Sequence, residues 1–180
     1  MLSEQSPFTE TIFKTYNCTI YIISRSEGIT HLSFSTSIHL LAVKKIQSTF
    51  HNEIIRKNHE TNNPICNELK EYFAGQRQSF SLTLDPFFLN AASPLRQQIW
   101  HQISAIPYGK TITYGEIGRK LGNPELARIV GQAAKANPLM LLIPCHRVTG
   151  KYSIGGYSGG TPLKQHLLQL ERSNRRDMLD

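Results

Sequence analysis

A cysteine, a histidine and an arginine stand side by side at Cys145, His146 and Arg147, directly after Pro144. The pair of thiol and imidazole points to nucleophilic chemistry, because sulfur attacks as thiolate and needs a base or a positive environment to become one. Adjacent side chains on a strand point to opposite faces, so the two cooperate only if the chain turns at Pro144 or a water relays the proton. An acid elsewhere must then hold the imidazole in one tautomer. Glu171 is the candidate. It sits at the edge of the apolar face of a helix through TPLKQHLLQLERS, capped by Thr161, with Pro162 at the first position and Leu163, Leu167 and Leu170 facing inward. Each residue also has a plainer reading: a cysteine behind a buried strand is more often inert core, and a glutamate ending a helix is more often solvated.

The elements that must position these groups are well punctuated. Leu139 to Ile143 has strand character and stops at Pro144. Ser93 and Pro94 open a helix whose Leu95, Ile99, Ile103 and Ile106 share a face with Trp100 beside it. Thr113 and Glu116 have capping-box spacing for a short helix from Tyr114 to Leu121, stopped at Gly122. Asn123 and Pro124 restart a helix to Ala136, giving a helix-turn-helix pattern. Along this second helix Ala127, Gly131 and Ala134 share one face, while Arg128, Gln132 and Lys135 line the next. Small residues admit close approach to something flat such as DNA, and they equally suit tight helix packing. GGYSGG at 155–160 lets the backbone approach a ligand closely or simply turn, and it lacks the GK[ST] ending of a phosphate loop.

The first half reads differently. Alternation over residues 11–34 gives two or three antiparallel strands, residues 38–58 are more helical, and KNHETNNP is a loop. ICNELKEYFAG is a helix stopped by Gly75, FSLTL at 80–84 a further strand, and residues 85–92 a linker. The chain has 180 residues, room for one large or two small domains, and carries a net charge of +7. Residues 1–90 hold 8 Lys/Arg and 8 Asp/Glu, whereas residues 91–180 hold 12 and 5, so the whole excess lies in the second half. That suits an anionic partner, nucleic acid being the commonest, and suits a merely soluble surface as well. Three cysteines with no CxxC pair argue against a disulfide framework and for a reducing cytoplasm. No signal peptide and no membrane span are expected.

Taken together, the motifs resemble the O6-alkylguanine-DNA alkyltransferase family, the methylated-DNA–protein-cysteine methyltransferases. PCHRV at 144–148 is similar to the family's active-site signature, and NPLMLLI precedes it. IPYGKTITYGEIG, GNPELARIVGQAAKANP, GGYSGG and LKQHLLQLE match in order and spacing, with ELKEYFAGQR and SPLRQQIW upstream. The likeness covers most of residues 65–171 and is low before residue 60. It implies a two-domain α/β protein. Residues 1–88 would form a small antiparallel sheet with helices, RNase H-like, and residues 89–180 a mostly helical, winged helix-turn-helix-like domain carrying the active site.

The resemblance also implies roles. Cys145 would accept the alkyl group, His146 would act as its base through a water, Glu171 would orient the histidine, and Asn137 would brace the turn. Tyr114 would donate to the ring nitrogen of an extruded guanine. Arg128 would enter the base stack, with Asn123, Ala127, Gly131, Lys135 and Tyr114 on the DNA side and the helix docked in the minor groove. Tyr114, Val148, Tyr157 and Ser158 would line the base pocket. The reaction would be a single irreversible transfer from O6-alkylguanine, with O4-alkylthymine a further substrate, by a cytoplasmic monomer with no cofactor. The physics agrees: the alkyl carbon lies inside the duplex and must be flipped out, and a thioether, once formed, is not reversed by water. The resemblance has three departures: Leu95 in place of a hydroxyl residue, Gly115 in place of a polar one, and a loop over 149–156 about one residue short. His31 matches one position of a zinc site that some relatives carry, but Cys18 is not at ligand spacing, and no metal is expected. Rival readings are a non-repairing damage-binding relative, against which Cys145 argues, a helix-turn-helix regulator, and a cysteine hydrolase, for which no oxyanion site is visible.

Overall fold

The structure, a computed structural model, describes residues 8–51, 54–58 and 62–175. The first seven residues lie outside it, as does part of the loop expected over KNHETNNP, at 59–61.

Alternation of apolar and polar residues produces three strands as expected: β1 (Thr9–Lys14), β2 (Thr19–Arg25) and β3 (Gly28–Ser33), paired antiparallel in sequence. Helix α1 (Thr36–Thr49) packs on the sheet through His39, Ala42 and Ile46. The helical reading of 38–58 overreaches, because Arg56–Lys57 forms a short strand β4, parallel to β1 on the edge of the sheet. The sheet order is therefore β3-β2-β1-β4. Helix α2 (Asn63–Phe73) buries Ile65, Leu69 and Tyr72, and Gly75 just beyond it has φ 72°, the left-handed stop that glycine permits.

FSLTL is not a strand. Only Leu84 bridges Ile29, and the neighbouring hydrogen bonds run from Ile29 N to Thr83 O and from Asp85 N to Ile29 O. Nor is 85–92 a free linker: it contains a short helix α3 (Phe87–Asn90), and Asp85 is fixed by Arg25.

In the second half, α4 (Pro94–Ser104) follows Ser93 and buries Ile99, Trp100 and Ile103. Two residues of β5 (Ile112–Thr113) lead into α5 (Tyr114–Lys120), whose capping box forms as the spacing requires: Thr113 Oγ1 accepts from Glu116 N and the Glu116 carboxylate accepts from Thr113 N. A 3-10 turn over Pro124–Leu126, capped by Asn123, precedes α6 (Ala127–Lys135). Gly118 lets α5 meet that turn, since a Cβ there would stand 2.8 Å from Asn123 O. The Trp100 indole donates to Ala133 O at 2.8 Å, pinning α6 to α4.

The chain then passes through a 3-10 turn at Cys145–Arg147 into β6 (Val148–Thr149), paired parallel with β5, and ends in α7 (Thr161–Asn174). The N-cap of α7 is Gly160 at φ 91°, not Thr161, because Lys164 N closes the first turn onto Gly160 O. One apolar core joins the halves, with Ile20, Ile22, Leu32, Ile65 and Leu69 packed in the same cluster as Ile99, Ile103, Leu139 and Met140.

Candidate active site

The expected strand Leu139–Ile143 is a single crossing followed by a tight turn. Leu32 N donates to Pro138 O and Met140 N to Leu32 O, so the segment touches the edge of β3 once. Leu141 then takes φ 69°, a left-handed conformation costly for a branched residue, and Ile143 N returns to Leu139 O at 2.8 Å. Asn137 makes the turn affordable. Its Oδ1 accepts from Leu139 N at 3.0 Å, and its Nδ2 donates to Ile143 O at 2.7 Å and to Cys145 Sγ at 3.2 Å. One buried amide thus ties both ends of the turn to the sulfur.

Because the turn continues as a 3-10 turn, Cys145 and His146 do not oppose each other as on a strand. Cys145 faces a cavity of about 380 Å³ lined by Tyr114, Gly131, Ala134, Lys135, Gly156, Tyr157 and Ser158. His146 turns inward, fully buried, and its Nε2 lies 2.8 Å from Glu171 Oε1. A carboxylate only accepts, so Nε2 carries the proton and Nδ1 presents a lone pair. Among the described residues Nδ1 has no hydrogen-bond partner.

Glu171 is wholly buried, which overturns the solvated reading. Burial alone would raise its carboxyl, but hydrogen bonds and charge from His146 and Arg147 outweigh that and hold it at about 2. Arg147 donates through Nε at 2.9 Å and through Nη2 at 2.9 Å, while its Nη1 donates to Ile106 O. The Tyr72 hydroxyl donates to Oε1 at 2.7 Å and Gly109 N to Oε2 at 3.0 Å. Burial raises the Cys145 thiol to about 11, against the lowering effect of the Asn137 amide and the Lys164 charge. At neutral pH the sulfur is therefore protonated, and activation requires a base. Burial also lowers His146, with Glu171 pulling the other way, so the imidazole is neutral and able to accept.

Three residues of this arrangement escaped the sequence reading. Arg147 was noticed without a role. Tyr72 follows Ile65 and Leu69 at helical spacing and reads as core. The inward face expected for α7, Leu163, Leu167 and Leu170, does not include Lys164, yet the fully buried stripe of that helix is Lys164, Leu167 and Glu171, with Leu163 and Leu170 only partly covered. The Lys164 ammonium donates to Val148 O at 2.6 Å and Gly156 O at 3.1 Å, tying the segment after Cys145 to the glycine-rich loop. Desolvation lowers Lys164 to about 8.

The other expected residues fall around the cavity mouth. Tyr114 is half-buried at the start of α5, and Gly155, at φ 73°, leaves room for it: a Cβ there would stand 2.6 Å from the tyrosine oxygen. Gly131 is bare beneath the Tyr114 ring, at 3.9 Å from an added Cβ. Ala134 is buried against the core and also borders the cavity beside Gly131, so the small-residue face of α6 serves packing and the cavity together. Arg128 is exposed on α6, Asn123 caps the turn before it, and Ala127 lines a second concavity with Tyr114 and Gly115. Val148 is fully buried and lies behind the cavity rather than in its lining. Ser158 Oγ donates to Lys135 O at 3.2 Å.

Comparison with known proteins agrees in both halves. Residues 10–86 match the ribonuclease-like domain of 6-O-methylguanine DNA methyltransferase, and residues 94–173 match the DNA-binding domain of the same family. A methylated-DNA–protein-cysteine methyltransferase of Methanosarcina acetivorans is 39% identical over 118 residues, covering 65% of this chain and 73% of the relative. The constitutive enzyme of Bacillus subtilis is 42% identical over 112 residues, covering 61% of this chain and 66% of its own. Among solved structures, the O6-methylguanine methyltransferase of Mycobacterium tuberculosis aligns with a TM-score of 0.75 at 27% identity over 94% of this chain and 96% of that one. The same enzyme in complex with DNA aligns with a TM-score of 0.75 over 92% and 94%. The thiol, its buried histidine–glutamate support and these matches in both halves place this chain in the 6-O-methylguanine DNA methyltransferase family.

Proposed function

We propose that this protein repairs alkylated guanine in DNA by direct reversal, moving the alkyl group from the O6 oxygen to Cys145 in a single turnover. The observation that carries the reading is a thiol bordering a cavity of about 380 Å³, gripped by Asn137 and followed by a histidine whose Nε2 is already committed to Glu171. His146 Nδ1 takes the thiol proton through a water. Sulfur then attacks the alkyl carbon, an S–C bond forms as the C–O6 bond breaks, and the electron pair stays on the departing guanine. Tyr114 donates to the ring nitrogen of that base and offsets its charge. No cofactor enters this sequence of steps.

A base stacked inside a duplex cannot reach such a cavity, so the nucleotide is swung out at a cost of a few kcal/mol. Arg128 fills the vacancy, and Asn123, Ala127, Gly131 and Lys135 complete a face that lies in the minor groove. Tyr157 and Ser158 border the base, with Val148 behind them. We further infer a division near residue 88, supported by family matches that stop at 86 and resume at 94. O4-alkylthymine as a second substrate, a monomeric state and a cytoplasmic location belong to the same reading; no helix among the described residues is long and apolar enough to cross a membrane.

The test is incubation with duplex carrying O6-methylguanine. The peptide containing Cys145 is expected to gain the mass of one methyl group, and Cys145→Ser to abolish the gain. Wild-type protein that binds such duplex yet restores no guanine would refute repair and favour a damage-binding role.

A further inference from the structure

The wall of the cavity holds a buried polar atom with no hydrogen-bond partner among the described residues. Besides His146 Nδ1, the Tyr157 hydroxyl is shut off from solvent and unpaired. The two rings stand edge to face with centroids 6.3 Å apart, and Tyr157 lines the same cavity as the sulfur. Buried polar groups are nearly always satisfied by protein or by water, so two orphans on adjoining rings, one ring sharing the cavity wall with the thiol, mark a place where one small molecule serves both. The phenol is also held in place. A Cβ at Gly159 would stand 3.0 Å from Tyr157 Cε1 and 3.2 Å from Phe34 Cβ, and the Phe34 ring lies 6.2 Å from the Tyr157 ring. Phe34 belongs to the first half of the chain, which thereby sets the position of a hydroxyl in the second.

We propose that the Tyr157 hydroxyl is a positioning group for ionisation of Cys145, holding one buried water between Cys145 Sγ and His146 Nδ1. This rests on the alkyl-transfer reading and adds the residue that fixes its proton relay. The water accepts from the Tyr157 O–H and from the Cys145 S–H and donates to Nδ1. On ionisation the sulfur proton passes to the water and one water proton passes to Nδ1, leaving thiolate and imidazolium. The water then donates to the thiolate, and Tyr157 keeps its own proton. Burial, with the nearby Cys145 charge, pushes the phenol well above its usual range, so it acts only as donor.

The experiment follows benzyl transfer from free O6-benzylguanine to Cys145 against pH, in wild type and in Tyr157→Phe, which keeps the ring and removes only the oxygen. The variant is expected to be about 10-fold slower near neutral pH, with its rising limb displaced to higher pH and the gap narrowing as the thiol ionises without help. A profile superimposed on wild type would overturn the proposal. So would a loss of equal size at every pH, the mark of a wall with a packing role only. A 10-fold loss of affinity for duplex carrying O6-methylguanine, measured in the Cys145→Ser background with and without Tyr157→Phe, would assign the hydroxyl to base reading instead. Failure of wild type to transfer benzyl at all would sink the repair reading itself, before the variant is compared.

Discussion

Each half of the molecule contains a buried carboxylate clasped by an arginine. Asp85 accepts from Arg25 Nε at 2.6 Å and Nη2 at 3.0 Å, from the Thr30 hydroxyl at 2.9 Å and from Phe87 N at 3.0 Å. Glu171 accepts from Arg147, His146, Tyr72 and Gly109 N. In both, burial works against the charge and the donors prevail, so both carboxyls titrate below their ordinary range. The difference lies where each web ends. The Asp85 web is fully paired, Arg25 also reaching Glu27 at 3.2 Å, and it fixes the end of β2, β3 and the entry to α3. The Glu171 web continues through an imidazole to a nitrogen with no partner among the described residues, on the residue that follows the thiol bordering a cavity. A perturbed carboxylate is thus no mark of a functional site by itself; an unfinished web that opens on a cavity is.

Breaking the second web should cost most. Glu171→Gln is expected to slow transfer from free O6-benzylguanine roughly 100-fold, since the imidazole loses its orienting charge. It should also destabilise the protein by about 3–5 kcal/mol, because Arg147 is left buried without its counter-ion. Rates and urea midpoints measured on the same preparation separate the two effects, and an unchanged rate would remove Glu171 from the relay. Acid should report the same group. Its folded value of about 2 lies below the ordinary 4.5. The stability it contributes is therefore complete above pH 4.5 and lost as pH falls toward 2, about 3 kcal/mol in all. Urea titrations at successive pH values should show this loss, and Glu171→Gln should flatten it.

Asp85→Asn is the control. A loss of about 1–3 kcal/mol in stability is expected with transfer from the free base unchanged within twofold; a large fall in that rate would erase the contrast between the two webs. The smallest effect lies outside both. Arg128→Ala should slow repair of duplex about 10-fold and leave free O6-benzylguanine untouched, because only duplex requires extrusion. Equal losses on both substrates would end the finger role.

Much of this was legible in sequence where the cause is local. The capping box at Thr113–Glu116, the turn at Gly75 and the alternation of β1 to β3 follow from a few adjacent residues and appear as expected. Strand FSLTL failed because only its end meets β3, through Thr83 O and Leu84 against the single residue Ile29, and strand β4 was invisible because two charged residues pair with β1 through backbone. The turn over Leu139–Ile143 misled for a related reason. Its apolar run fits a strand, and Asn137, reaching forward from just before the segment to both of its ends, holds the bend.

The sequence by itself determined which sulfur stands beside which imidazole, where the helices begin and that a basic second half suits an anionic partner, since these depend on composition and on neighbours a turn or two away. Tertiary structure decided that Lys164, Arg147 and Glu171 lie inside, and that a tyrosine 99 residues before Glu171 completes the acid's support. The reason is energetic. A charge is tolerated in the interior only when donors or acceptors meet it there, and those partners come from segments that only the folded chain brings together.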